Sequence, residues 1–390
     1  MSQALEHFWA KGVLCLFFGV SILCFISPVQ TGLDTQPYYL ILSFLVFILY
    51  HQTKFDKCMA ALLLVLVSGV PLYILAIWEA NIRSFIIYIS IFPLVFSMYR
   101  IFLYDGWKER YVMCFVFLYF GAAILQIIYG KDLFGGILQS RTTENRGVSS
   151  LANEPTLYAL MCLLVGLICH ISRFPKRTKI IIYVLLLLQI VFLARSSMAL
   201  LVLVFWLFMY VLIVNPISAF YFLVVGAGIA WVVIGILPED SRIFSLFRII
   251  LDSPLFLIQK DASVNERIAH LVLPVYASFD NYLFPQGFSS FSNVLGRRDE
   301  LFGGVFFWGP NTNKIMSGFG AVLWEMGVVG LAVLFCFAWS CLSAAHLQVR
   351  DRLFLLAASL SLMFTAIPII NPVFCALWGA IEADKIRYER

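Results

Sequence analysis

Charge is scarce in this chain of 390 residues, since Asp, Glu, Lys and Arg together make up only 13% of it. A soluble domain has roughly a quarter of its residues charged. Hydrophobic residues reach 62%, and the mean hydropathy is +0.93. These values exclude an ordinary soluble domain and predict an integral membrane protein. The formal net charge of +5 is explained by basic loops between spans, so no nucleic-acid partner is expected.

Several motifs of catalysis are also missing from the sequence. It has no GxxxxGK[ST] loop for ATP, no HExxH and no close carboxylate pair of the Asp-x-Asp kind. The nine cysteines all lie in or beside apolar runs, so no disulfide framework is expected. The two loops predicted below to be extracytoplasmic hold one histidine and no cysteine, and we therefore predict neither a metal site nor a cofactor.

Long apolar runs dominate what remains, and runs of about 17–25 residues can each span a bilayer as a helix. We predict a single transmembrane domain over 1–390, all-α and polytopic, with eleven or twelve spans. The twelfth is uncertain because it is short. The predicted spans are 12–29, 37–51, 57–78, 84–103, 110–129, 155–171, 179–194, 197–214, 217–237, 315–343, 353–369 and 372–382.

Lysine and arginine are concentrated in alternate connections, which the positive-inside rule assigns to the cytoplasm. The predicted cytoplasmic segments are 51–57, 104–110, 173–179, 346–352 and the tail 382–390. On the other side lie two longer loops, 130–153 and 238–313. The second is rich in Phe, Trp, Leu and Ile, and we expect short helices there that pack on the membrane surface.

Residues 140–158 place charge at the mouth of a predicted span. Arginine at a membrane edge is costly unless an anion uses it. Arg146 and Glu154 flank Gly147 and are expected to face one cavity, with Arg146 binding a phosphate or Glu154 itself. Arg141 and Glu144 are weaker candidates. A plain helix entrance also fits, because Asn153 can cap a helix that begins at Pro155.

Three further features carry polar groups toward the same predicted side. Arg195 interrupts an apolar stretch in a tight hairpin, and we expect it to be buried and to face a polar cavity; snorkelling to the interface is the alternative. Residues 263–270 place Arg267 and His270 on one predicted helix, where His270 could accept a proton or be an ordinary surface residue. Glu325 lies inside a span and should have a partner or be protonated.

These motifs, in this order and on one side, resemble the bacterial O-antigen polymerases (Wzy type) of the O-antigen ligase and polymerase superfamily. The resemblance rests on layout over nearly the whole chain and on short motifs. The motifs are 146–155, Arg195-Ser196, 265–267 followed by Pro285-Gln-Gly287-Phe288, and Glu325-Met-Gly327. Ligases of this superfamily typically have a histidine shortly before the last motif. This chain has Asn311, Asn313, Lys314 and Ser317 there, which favours a polymerase.

The resemblance implies a GT-C-like fold and a metal-independent glycosyltransferase in the bacterial inner membrane, with its active site facing the periplasm. Donor and acceptor would be oligosaccharide repeat units on undecaprenyl diphosphate, and chain length would involve a separate regulator protein. We expect Arg146, Arg195 and Arg267 to bind the diphosphate, and Glu154 or, second, His270 to act as base. Substrate binding would involve Arg141, Asn153, Gly287, Phe288 and Glu325. An O-antigen ligase and a transporter or flippase of lipid-linked glycans are the alternatives.

Overall fold

The computed structural model describes residues 2–26, 38–52, 54, 56–76, 82–138, 146–221, 224–226, 228, 258, 262–287, 290–296, 302–307 and 315–389. Throughout these ranges the regular structure is helical, as predicted, and no strand occurs. The helices are α1 (Ser2–Ile22), α2 (Tyr38–Tyr50), α3 (Lys57–Ala76), α4 (Ile82–Ile89), α5 (Ile91–Phe102), α6 (Trp107–Tyr129), α7 (Pro155–His170), α8 (Lys176–Leu188), α9 (Ser197–Val214), α10 (Ala262–Asp280), α11 (Phe291–Gly296), α12 (Gly318–Leu342), α13 (Val349–Thr365) and α14 (Pro372–Glu389).

Within the described ranges, six apolar stretches are long enough to cross a membrane: Lys57–Ile74, Phe85–Phe102, Trp107–Tyr129, Lys176–Ala194, Ser197–Val214 and Gly318–Leu342. Shorter apolar helices include Lys11–Ile22, Tyr38–Tyr50 and Pro155–His170. Each predicted span up to residue 214, and each of the last three, corresponds to described helical structure. The predicted span 217–237 lies largely outside the described residues. An all-helical polytopic membrane protein is therefore the class to which this architecture belongs.

The last helix is longer than the sequence indicated. The predicted tail 382–390 instead continues α14 to Glu389, and this helix is buried along most of its length. Gly379 explains how closely α14 packs on α5, because a Cβ there would lie 2.6 Å from the backbone nitrogen of Tyr99. The short segment that was the least certain span is thus the central helix of the bundle.

The five segments predicted to share one side of the membrane do meet at one end, which we call the charged end. Lys108 Nζ lies 2.5 Å from Asp384 Oδ2 and donates to the carbonyl of Ile171 at 3.0 Å. The Arg173 N–H donates to Glu109 Oε1 at 3.0 Å. Lys385 lies 3.4 Å from Asp56 and His346 lies 3.8 Å from Asp384, which ties in the remaining two segments. Which compartment this end faces stays a prediction.

The opposite end, called the site end, carries the loop before α7, the hairpin between α8 and α9, and a layer formed by α10 and α11. This layer has a small core of its own, formed by Ala269, Leu273, Ala277, Phe291, Val294, Leu295, Phe306, Ile315, Ala321 and Trp324. It rests on the start of α12, where Gly320 leaves room for the His270 carbonyl. Most of the predicted site residues that are described lie on this end, whereas Glu325 lies within α12 and Gly287 lies in the turn packed against it.

Candidate functional site

The loop before α7, residues 146–154, is largely buried and packs on α6. We call this loop the ledge. Gln126, itself buried, accepts from the Ser150 N–H at 2.7 Å through Oε1 and donates to the Ser150 carbonyl at 3.2 Å through Nε2. The Ser150 hydroxyl donates to the Tyr119 carbonyl at 2.6 Å. Ser149 and Ser150 are fully buried. The ledge therefore has a fixed position above α6, although its sequence is polar.

The ledge also packs directly on the hairpin that carries Arg195. The Val148 N–H donates to the Leu193 carbonyl at 2.9 Å. A Cβ at Gly147 would overlap the carbonyl oxygens of Leu193 and Ala194, so only glycine fits there. Arg146 and Arg195 thus flank one backbone contact. The structure brings together two arginines that lie 49 positions apart in the sequence.

The approach to Arg195 is a π-helical turn over Gln189–Ala194, a form often found at functional sites. Gln189 is fully buried and accepts a hydrogen bond from the Tyr158 hydroxyl at 2.8 Å, which fixes the turn against α7. Arg195 itself has a left-handed backbone with φ 49°, and Ser196 then caps α9 by accepting from Ala199 N–H at 3.3 Å.

The expected burial of Arg195 was wrong. Both Arg195 and Arg146 are exposed at the surface of the site end. The reason is local: Arg195 occupies the tip of the hairpin, one residue outside the helical turn, and its neighbours Ala194 and Ser196 take the buried positions. Among the described residues, no carboxylate forms an ion pair with either guanidinium.

Glu154 is the N-cap residue of α7 and is half-buried, with Pro155 in the first turn. Its side chain makes no capping bond. The helix begins at Pro155 as predicted, but the capping role predicted for the buried Asn153 is wrong, because Glu154 directly before Pro155 occupies the N-cap position and the Asn153 Oδ1 accepts no hydrogen bond from the described residues. Burial raises the pKa of the neighbouring Glu266 above its usual value. The Arg267 guanidinium opposes this shift, and the Glu154 charge adds to it. The ledge and α10 therefore bring two carboxylates and Arg267 into one electrostatic environment.

The start of α10 is anchored by Asn265, whose Nδ2 donates to the carbonyls of Ile258 at 2.9 Å and Val305 at 2.8 Å. Arg267 is half-buried two residues later. Asn265 thus holds the segments that contain Ile258 and Val305 against the start of α10, and in this way it positions Arg267. The sequence had grouped it only as part of a motif.

His270 is fully buried, and its Nδ1 accepts from the Met316 N–H at 3.1 Å. Burial lowers the pKa of His270 to about 4, so the ring is neutral at physiological pH. With Nδ1 accepting, the proton of the neutral ring resides on Nε2. This Nε2 is buried and has no hydrogen-bond partner among the described residues, while the acceptor Nδ1 is already used by Met316, so Glu154 is the stronger candidate for the base.

Glu325 has the partner that its position inside a span requires, because its carboxylate accepts a very short hydrogen bond from the Tyr88 hydroxyl. Two residues later α12 is interrupted at Gly327, where φ is 57° and ψ is −131°. The turn that contains Gly287 closes this break: the Gln286 N–H donates to the Trp324 carbonyl at 3.1 Å. Gly287 has φ 81° and is buried, so it serves the turn.

Two predicted substrate-binding residues, Arg141 and Phe288, lie outside the described residues, as does Glu144. Much of the predicted loop 238–313 and part of 130–153 also lie outside them. The residues that sequence reasoning missed are Gln126, Ser150 and Gln189. A signal was available for two of them, because a glutamine within an apolar helix needs a polar partner.

One group of metal-ligating side chains lies at the charged end, formed by Asp56, Cys58 and Glu382. The Lys385 ammonium already occupies its centre, at 3.4 Å from Asp56, 3.5 Å from Cys58 and 2.9 Å from Glu382. Three acceptors around one ammonium satisfy its three donors, so this group is a buried ion-pair cluster.

Fold and site together define an all-helical membrane protein with exposed arginines and half-buried carboxylates at one end. No family model, no curated protein and no solved structure matches this chain.

Proposed function

We propose that this protein is a membrane glycosyltransferase that polymerises oligosaccharide repeat units carried on undecaprenyl diphosphate, as the resemblance to O-antigen polymerases implies. The reaction would take place at the site end, on the periplasmic face of the inner membrane, without metal or nucleotide sugar. The GT-C-like fold is part of this proposal.

The observation that carries the proposal is the contact between the ledge and the hairpin, which flanks one point with Arg146 and Arg195. Both guanidiniums are exposed and lack a carboxylate partner in the described part of the chain, so both are available to a ligand. Arginine suits a diphosphate because it is always charged, planar and bidentate. An anion of this class at this end of a membrane protein is the headgroup of a lipid-linked sugar.

The proposed step is a single displacement. An acceptor hydroxyl attacks the anomeric carbon of the donor, the bond from that carbon to the diphosphate oxygen breaks, and the diphosphate leaves with the electron pair. Arg146, Arg195 and Arg267 stabilise the charge that develops on it. Glu154 accepts the hydroxyl proton.

The test uses purified protein in lipid with undecaprenyl-diphosphate-linked repeat units, and the products are separated on a gel. We expect a ladder of lengthening glycans. Arg146→Ala and Arg195→Ala should each slow its formation roughly 10²–10³-fold, since that is the typical cost of one charge-stabilising donor. The control is Arg177→Ala, which removes an exposed arginine from the charged end.

Other outcomes separate the alternatives. Transfer of glycan only to lipid A core would indicate a ligase. Movement of the lipid-linked unit between leaflets without any new glycosidic bond would indicate a transporter or flippase. Normal ladders from both arginine variants would contradict the assigned roles of Arg146 and Arg195.

A further inference from the structure

The helix α10 runs beside α12 in the same direction, away from the site end. Near its middle, the His270 carbonyl lies 2.8 Å from where a Cβ of Gly320 would be. Past its end, the Leu283 carbonyl accepts from the Val328 N–H at 2.8 Å. Since α12 descends into the bundle from residue 320 to residue 328, the end of α10 descends with it.

The depth of this point can be read from α3, which packs on α12. A Cβ at Gly69 would lie 2.8 Å from the Val329 side chain, so Gly69 and Val329 are level. Gly69 precedes the end of α3 at Ala76 by seven residues, or about 10 Å at a rise of roughly 1.5 Å per residue. Leu283 is therefore about 10 Å inside the end of a membrane-spanning helix.

The chain then returns toward the site end. Residues 281–283 form a turn, with Tyr282 and Leu283 both at positive φ. By Phe291, the first residue of α11, the chain is back beside His270, with 5.0 Å between the two ring centroids. The chain thus enters the bundle after His270 and at Phe291 is again on the side from which it entered, which is the path of a re-entrant hairpin.

The outer face of this hairpin is aromatic and exposed. Tyr276, Phe279 and Phe284 are each about half exposed, and Tyr282 is 94% exposed. The face continues onto Val328, Leu331 and Phe335 of α12, exposed apolar residues of a membrane-spanning helix. We propose that residues 276–284 form a re-entrant hairpin whose aromatic face binds the lipid of the leaflet at the site end.

Two features fit this placement. Backbone polar groups at membrane depth must be paired within the protein, and here the hairpin and the break in α12 pair each other: Leu283 with Val328, and Gln286 with Trp324. Tyrosine favours the boundary between headgroups and hydrocarbon. The exposed carboxylate of Asp280 needs water or headgroups, which limits the hairpin to the outer part of the leaflet.

The experiment measures the depth of a nitroxide spin label in lipid nanodiscs by its collisions with oxygen and with a water-soluble nickel complex. Labels are attached at Tyr282→Cys and Phe284→Cys in a chain carrying Cys15→Ser and Cys114→Ser, since the other cysteines are buried. Phe335→Cys is the lipid reference and Lys176→Cys, an exposed position at the charged end, the aqueous one.

At both hairpin positions we expect oxygen collisions to exceed nickel collisions, giving a ratio closer to that of Phe335→Cys than to that of Lys176→Cys. A ratio equal to that of Lys176→Cys would overturn the proposal. So would low collision rates with both reagents, which would mean that protein covers the face. Tyr282 is almost fully exposed, so its replacement leaves the fold intact, as size-exclusion chromatography will confirm. The outcome is independent of the proposed glycosyl transfer.

Discussion

The two ends of the molecule differ in whether they bury positive charge, because among the described residues buried lysines occur only at the charged end. At the charged end Lys108 and Lys385 are 2% and 5% exposed, and each contacts carboxylates at hydrogen-bond distance. At the site end Arg146 and Arg195 are exposed, and no carboxylate forms an ion pair with them among the described residues. A buried cation with its own counterion is committed to the fold, whereas an exposed cation is available to a ligand.

The same contrast holds for how each end is held together. Carboxylates join all five segments at the charged end, through contacts with Lys108, Lys385, His346 and the backbone N–H of Arg173. At the site end, backbone contacts and uncharged amides hold the segments together. Gln126 fixes the ledge, Gln189 fixes the hairpin and Asn265 fixes α10. The Arg146 and Arg195 guanidiniums are thus left out of the supporting ion pairs in the described part of the chain, although the Lys131 ammonium donates to the Arg146 carbonyl.

The largest effect is expected when the buried ion pair of Lys108 and Asp384 at the charged end is broken. Lys108→Met leaves Asp384 buried beside an apolar side chain, and removal of one partner from a buried pair typically costs about 3–5 kcal/mol. We expect a clear fall in the thermal unfolding midpoint of the detergent-solubilised protein. Arg177→Met, at an exposed position of the same end, is the matched control.

The double variant Lys108→Met with Asp384→Asn sharpens this result. Because it removes both charges, it should regain a large part of the lost stability. If Lys108→Met unfolds at the same temperature as Arg177→Met, the pair does not support the fold, and the contrast between the two ends fails.

The second effect concerns the buried histidine of the site end. The pKa of His270 is lowered from 6.5 to about 4, so its contribution to stability is present above pH 6.5 and is lost as pH falls toward 4. The full loss corresponds to roughly 3 kcal/mol at about 1.4 kcal/mol per pKa unit. Unfolding midpoints measured between pH 7 and pH 4 should fall less steeply in His270→Gln than in the wild type.

His51→Gln is the control, since His51 is exposed. His346 at the charged end also has a lowered pKa because of burial, although Asp384 opposes the shift, so part of the acid sensitivity will persist in His270→Gln. Parallel pH curves for His270→Gln and the wild type would mean that His270 contributes nothing to the acid sensitivity of the protein's stability.

The third effect separates the two arginines of the site. Gly147→Ala forces a methyl group onto the carbonyls of Leu193 and Ala194, and overpacking of this kind costs about 1–3 kcal/mol. We expect a modest loss of stability together with loss of glycan polymerisation, because the ledge must move away from the hairpin. Gly136→Ala, in the preceding loop with open space at its Cβ, should change neither. Full polymerisation by Gly147→Ala would show that this contact is dispensable.

Much of the fold could be predicted from hydropathy, because apolar length alone defines a span. Helices such as α6 and α9 match the predicted boundaries within three residues. The continuation of the final helix beyond residue 382 could not be predicted, since Glu382, Asp384 and Lys385 lower its hydropathy and only their buried partners explain them. For the site, the sequence predicted which types of residue take part and that they lie on one side of the membrane. The pairing of Gly147 with Ala194, the exposure of Arg195 and the tautomer of His270 depend on contacts that no local pattern encodes.

The smallest expected effect comes from a comparison of two carboxylates, Glu266 at the site end and Asp384 at the charged end. The pKa of Glu266 is raised, so the stability associated with its protonated form is present below about 4.5 and is lost as pH rises through the folded-state pKa. Glu266→Gln should therefore be equal to or slightly more stable than the wild type at pH 7, by less than about 1 kcal/mol because the side chain is partly solvated. The difference should disappear below pH 4.

Asp384→Asn at the charged end should have the opposite sign at pH 7, since it leaves Lys108 without its counterion. If Glu266→Gln destabilises the protein as Asp384→Asn does, the carboxylates of the site end also support the fold, and their availability for catalysis is contradicted.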